Sequence, residues 1–267
     1  MESLKHETDA EHEPTEVRHV LSEVGWNVRP LGDEMHGEAQ VTPELCTPGL
    51  GHLRTSVLAA WADHLMGLLA ARAMSPRVPV TLELDVHLHR PAPGSGRIRG
   101  RARTLKAGRS VFATSVEFLT DADGCIALGS GSFMLAGDPD VRLPRLLSID
   151  RAAQPARLEV PLAERAGCER HAPGVAVLPR RADALNSSNT VNGGLIALAA
   201  EEAVLSLARD TTLCSLALRY LRPVRSGPAV ARARLSDGLA WVDVFDEGNE
   251  NRLSVTVIAR TFTAPRS

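Results

Sequence analysis

The segment L-D-V-H-L-H-R-P, Leu84 to Pro91, returns later in the chain as L-A-L-R-Y-L-R-P, Leu216 to Pro223. An internal repeat constrains a fold strongly, because each copy must build the same unit and the units must cover each other's apolar faces. Both copies alternate as half-buried strands do. Both end in Arg-Pro and run into a glycine turn, P-A-P-G-S-G in one and V-R-S-G-P in the other. Upstream of each lies an Ala- and Leu-rich segment of helical length, one from Leu53 to Arg72 and one from Asn192 to Arg209. Downstream come further alternating runs, S-V-F-A-T-S-V-E-F-L-T before D-A-D-G and A-W-V-D-V-F before D-E-G-N, whose polar clusters read as hairpin turns. Gly108-Arg109-Ser110 reads as another such turn. Each half is therefore expected to run helix first, then antiparallel meander, an α+β organisation.

The expected division is a disordered tail over 1–16, a first unit over 17–138, a connector over 139–154 and a second unit over 155–267. The connector is rich in Pro and charge and lacks a sustained period. With 267 residues and 44% hydrophobic content, two units of this size have enough apolar surface for real cores. A net charge of -2 gives no electrostatic reason for a nucleic-acid or anionic-membrane partner, which leaves small molecules and proteins. The N-terminus has neither the basic start nor the apolar core of a secretory signal, and no apolar run reaches spanning length. The four cysteines, Cys46, Cys125, Cys168 and Cys214, stand singly without metal-like spacing, as reduced thiols of a cytoplasmic protein do.

Both helical segments are apolar almost all round, which requires burial on more than one side. Carboxylates inside them need a reason. Asp63 is flanked at helical spacing by Ala59, Ala60, Met66 and Gly67, and Glu201 by Ala197, Leu198, Val204 and Leu205. Desolvation at such positions raises a carboxyl pKa. A single acid of this kind is most simply a helix-edge residue or an arginine's partner; two acids at matching repeat positions weaken that explanation. His64 and Glu202 have no counterpart in the other half and are read as packing or supporting residues.

With these segments in view, the chain resembles the hot-dog fold acyl-CoA thioesterases of the phenylacetate-pathway and 4-hydroxybenzoyl-CoA type, fused in tandem. The resemblance covers most of the chain after about Trp26. It implies two hot-dog domains, each an antiparallel sheet wrapped around a central helix, paired as a pseudo-dimer. The family's pattern is an Asn, then His-Gly-Gly six residues later at the start of the central helix, then an acid eight residues after the first Gly. The second half carries Asn186, Asn192-Gly193-Gly194 and Glu201 at those positions, departing only in Asn for His at 192. The first half, aligned through Asp63, keeps the acid but places Pro48 at the Asn position and Arg54-Thr55-Ser56 at the glycine motif.

A thioester needs donors aimed at its carbonyl oxygen and a carboxylate that attacks it or activates water. A glycine-led helix start supplies the donors. Eight residues of helix span about 12 Å, so Glu201 cannot serve the same carbonyl as its own Gly193. The resemblance implies sites shared across the pseudo-dimer. One joins Asp63 to Asn186, Asn192 and Gly193, with Asp63 as nucleophile or general base, Gly193 N–H as oxyanion donor and Asn186 orienting water or the acid. The other joins Glu201 to Pro48, Arg54 and Thr55 and is expected to be inactive or altered. No cofactor is implied beyond coenzyme A as part of the substrate; arginines such as Arg54, Arg90, Arg109 and Arg222 are candidates for its phosphates. Open sheet edges imply a homo-oligomer of the tandem chain. The competing reading is a non-catalytic acyl-thioester binder or assembly module. A hydratase is disfavoured because Asp63 and His64 are adjacent and point apart.

Overall fold

The computed structural model describes residues 18–138, 140, 142–143 and 157–262. The expected tail 1–16 and most of the connector 139–154 lie outside the described residues.

The first half contains strands β1 (Asn27–Leu31) and β2 (Glu34–Gln40), helix α1 (Thr55–Met74), then β3 (Pro79–Leu88), β4 (Arg97–Ala107), β5 (Phe112–Thr120) and β6 (Gly124–Leu135). The second half repeats the plan after a short helix α2 (Leu162–Ala166): β7 (Glu169–Ala172), β8 (Val175–Leu178), α3 (Gly193–Leu207), β9 (Leu213–Tyr220), β10 (Ala229–Ser236), β11 (Leu239–Asp246) and β12 (Arg252–Thr261). All twelve strands join one sheet in the order β1-β2-β4-β5-β6-β3-β9-β12-β11-β10-β8-β7, so the second half mirrors the first about the β3–β9 seam. This is the tandem hot-dog arrangement that the resemblance implies.

The strands that carry the repeat form that seam. They run antiparallel, with Glu83 opposite Arg219 and His87 opposite Ser215. Arg219 also reaches the carboxylates of Asp85 at 2.6 Å and Glu83 at 3.3 Å.

Two strands precede each central helix, where the sequence was expected to open on the helix itself. β1 contains Pro30 and is exposed at most positions, and β7, E-R-H-A, is exposed throughout. Edge strands with little to bury lack the alternation by which strands are recognised.

The apolar character of both helices is explained by their double burial, each against its own half's strands and against the other helix. In the first half Trp61 of α1 stacks on Trp26 at 4.5 Å, and a side chain at Gly37 would collide with the Trp26 ring. In the second half Gly194 lets α3 approach α1: a Cβ there would lie 2.8 Å from the Ala60 Cβ. Among the described residues no helix is long and apolar enough to cross a membrane.

Candidate active site

The N-terminus of each central helix faces the flank of the other, which creates two related places at the junction of the halves. Arg54 and Asn192 hold equivalent N-cap positions with extended backbone, ψ 138° and 136°. The repeat alignment therefore holds at both helix starts. It slips in the preceding loop. Cys46 bridges to Leu53 in the first half, whereas Leu185 bridges to Val191 in the second, one residue fewer. Thr47, whose N–H bonds to His52 O at 2.8 Å, thus takes the place of Asn186, whose N–H bonds to Thr190 O at 2.8 Å. Pro48, assigned to that position by counting back from Asp63, is one residue off.

At the end that holds Glu201, the helix start is sealed. Glu201 Oε1 accepts the Thr55 N–H at 2.9 Å, and Oε2 accepts the Ser56 hydroxyl at 2.6 Å and an Arg54 N–H at 3.4 Å. Arg54 also pairs with Glu202 at 2.6 Å, and Glu202 with Arg170 at 2.5 Å. Exposure is 0% for Glu201 and Thr55 and 1% for Arg54 and Ser56. Burial pushes the Glu201 carboxyl above its ordinary range, against the pull of Arg54 and its hydrogen bonds. The oxyanion donor position of this end is thus occupied by the chain's own carboxylate. Cys168, buried beside Glu202, has its thiol pushed up to about 12.

At the end that holds Asp63, the corresponding groups are half-buried: Asp63, Gly193, Thr81 and Tyr220. Asp63 Oδ1 accepts the Thr81 hydroxyl at 2.8 Å. Burial pushes its carboxyl up, opposed by that hydrogen bond. The Gly193 N–H has no acceptor among the described residues. Next to it the Asn192 side chain caps α3, its Oδ1 accepting the Gly194 N–H at 2.8 Å. Asn at 192 therefore works as an N-cap, which a histidine does less readily. The Tyr220 hydroxyl donates to Gly193 O at 3.1 Å, and the phenol is held well above its ordinary range by burial and by the Asp63 charge.

Asn186 does not reach this cluster through its carbonyl. Its Oδ1 accepts from Ser188 N–H, Thr190 N–H and the Thr190 hydroxyl, at 3.0, 3.2 and 3.1 Å, and so organises the exposed turn before α3. Only its amide nitrogen remains for a ligand. His64, half-buried next to Asp63, has its imidazole pulled down to about 4 by burial.

Two contributors escaped the sequence reading, and Ser56, placed at the glycine motif, was given no role. Thr81 carries no motif. Tyr220 is the single tyrosine of the chain and stands in the repeat where the first half has Leu88, an exchange that could have marked it. A cavity of about 320 Å³ beside β1 and β2, lined by Glu23, Asn27, Gln40 and Thr42 among others, includes none of the site residues. Among the described residues no group of His, Cys, Asp and Glu could hold a metal ion.

A family model, the thioesterase superfamily, matches residues 50–127, the stretch from just before α1 into β6 that contains Asp63. No curated protein matches. Solved structures match over both halves. An acyl-ACP thioesterase from Bacteroides thetaiotaomicron is 14% identical, with TM-score 0.61, over 86% of this chain and 98% of its own. The 12:0-ACP thioesterase from Umbellularia californica is 13% identical, with TM-score 0.64, over 88% and 99%. The tesB protein of Mycobacterium avium subs paratuberculosis is 18% identical, with TM-score 0.58, over 92% and 98%. At these identities the structures speak for the shared double-unit fold, and the family match lies on the segment that holds the acid. Residues 50–127 thus resemble the thioesterase superfamily, and the chain as a whole has the double hot-dog fold of these structures.

Proposed function

We propose that the chain hydrolyses acyl thioesters at one composite place only, with Asp63 of the first half working against the α3 start of the second. The observation that carries this is the contrast between two related ends: one has a half-buried carboxylate and a Gly193 N–H with no acceptor among the described residues, the other a Thr55 N–H already capped by Glu201. In this reading the Gly193 N–H and the positive end of α3 accept the charge that develops on the thioester oxygen. Asp63 either attacks the carbonyl carbon or removes a proton from the attacking water. Collapse of the tetrahedral intermediate breaks the C–S bond, and the thiolate leaves and takes up a proton; where Asp63 is the nucleophile, water then cleaves the mixed anhydride, releasing the acid and regenerating the carboxylate. Thr81 holds one carboxylate oxygen and leaves the other for the reaction.

The thiol carrier in this reading is coenzyme A or another phosphopantetheine thiol. Arg180, Arg222 and Arg225 are exposed, have no carboxylate partner among the described residues, and lie on the two loops that pack together before α3, where Val191 N–H bonds to Val224 O. Arg97, Arg99 and Arg101 on the sheet are, by contrast, all paired with acids. Unneutralised guanidinium groups suit phosphate oxygens.

The test is thiol release from a panel of acyl-CoA and acyl-carrier-protein substrates, run beside thermal-shift measurements with the same ligands. Release supports hydrolysis; stabilisation without release selects a binding module instead.

A further inference from the structure

We propose that Tyr220 is a positioning residue that fixes the direction of the Gly193 N–H by tethering the first turn of α3 to β9. The proposal rests on the site reading above. Two successive glycines at a helix start give a backbone with unusual freedom, because neither has a Cβ to restrict it. An oxyanion donor needs the opposite, a fixed orientation before charge develops.

Beside the backbone bonds from the Leu195 and Ile196 N–H groups to Asn192 O, both at 3.1 Å, two side-chain bonds restrain the turn. The Asn192 side chain holds the Gly194 N–H, and the Tyr220 hydroxyl donates to the Gly193 carbonyl at 3.1 Å. The ring also lies against the glycine itself. A Cβ on Gly193 would stand 3.0 Å from the Tyr220 hydroxyl and 3.2 Å from two ring carbons. Glycine at 193 and tyrosine at 220 thus fit each other, and a side chain at 193 would displace the phenol.

The sealed end shows the same need met differently. There the helix start carries Thr55, whose own hydroxyl donates to Leu213 O of β9 at 2.8 Å. The strand residue equivalent to Tyr220 is Leu88, which has no hydroxyl to offer. Where the helix start has a side chain, it makes the tether; where it is glycine, the strand supplies one. Burial and the Asp63 charge keep the phenol protonated, hence a donor, throughout the neutral range.

Tyr220→Phe removes the hydroxyl and keeps the ring. Turnover at saturation should fall on the order of tenfold while KM stays within about twofold, since a loosened donor weakens the transition state more than the ground state. A second readout needs no turnover: the carbonyl stretch of bound acetonyl-CoA, a ketone that cannot be hydrolysed, should move back toward its solution frequency in the variant. An unchanged stretch, or an unchanged kcat, overturns the tether. Asp63→Asn separates the two ideas. If it abolishes turnover while Tyr220→Phe is normal, only the tether fails; if it leaves turnover intact, the site reading fails as well.

Discussion

Arg54→Met probes the sealed end most severely. The substitution removes a guanidinium that is 1% exposed and leaves Glu201, 0% exposed, and Glu202, 4% exposed, without their shared cation. Arg170 still pairs with Glu202, so the deficit falls mainly on Glu201. Breaking a buried pair by removing one partner costs about 3–5 kcal/mol, which for a chain of this size corresponds to a fall of about 10 °C in Tm. The cost should depend on pH with a defined sign. Burial already raises the Glu201 carboxyl, and loss of Arg54 raises it further. A carboxyl raised in the folded state binds its proton more tightly there than in the unfolded chain, so the variant regains stability as pH falls toward the unfolded value of about 4.3. Urea unfolding of wild type and variant at pH 8 and pH 5.5 measures this, with thioester turnover recorded well below both melting temperatures. The account expects a large gap at pH 8, a smaller one at pH 5.5, and unchanged turnover per folded molecule. A loss below about 1 kcal/mol, or a gap equal at both pH values, would refute the picture of a charge held in place by Arg54.

Two further outcomes follow from the geometry. Gly194→Ala puts a Cβ 2.8 Å from that of Ala60; overpacking where the central helices meet should cost about 1–3 kcal/mol and lower turnover as well, readable by thermal melts and kcat, whereas a neutral variant would mean that the helices do not meet there. Because burial pushes the Asp63 carboxyl up, and the reaction needs it ionised, kcat/KM should fall on the acid side at a pH above the ordinary carboxylate range; His64, pulled down to about 4, adds no protonation step near neutrality, and an acid limb abolished by His64→Gln would contradict this.

The halves and the central helices were legible because the repeat marks them in strands where burial enforces alternation; that the two repeated strands pair as the seam came from the structure. β1 and β7 were missed because edge strands bury little, and Pro30 masks the first; β2 and β8, which do alternate in burial, were missed with them. The acids Asp63 and Glu201 were legible as anomalies on apolar helices, but whether each faces an open or a sealed helix start was not. That difference comes from Arg54, Ser56 and Glu202 closing around Glu201 in space. Glu202, read as a supporting residue, pairs with the same arginine as Glu201. Asn186 kept its family position but spends its carbonyl on its own turn. The one-residue shift that puts Thr47 opposite Asn186 was hidden because a loop length cannot be counted across an unmarked insertion.

The central claim is that one of two related ends does the chemistry. Turnover of an acyl-CoA panel by Asp63→Asn and Glu201→Gln, each confirmed folded, tests it most directly. Both substitutions keep side-chain size and remove the carboxylate charge, turning one acceptor oxygen into an amide donor. The account predicts that Asp63→Asn abolishes thiol release and Glu201→Gln retains it; release that survives the first change and is lost with the second would contradict it.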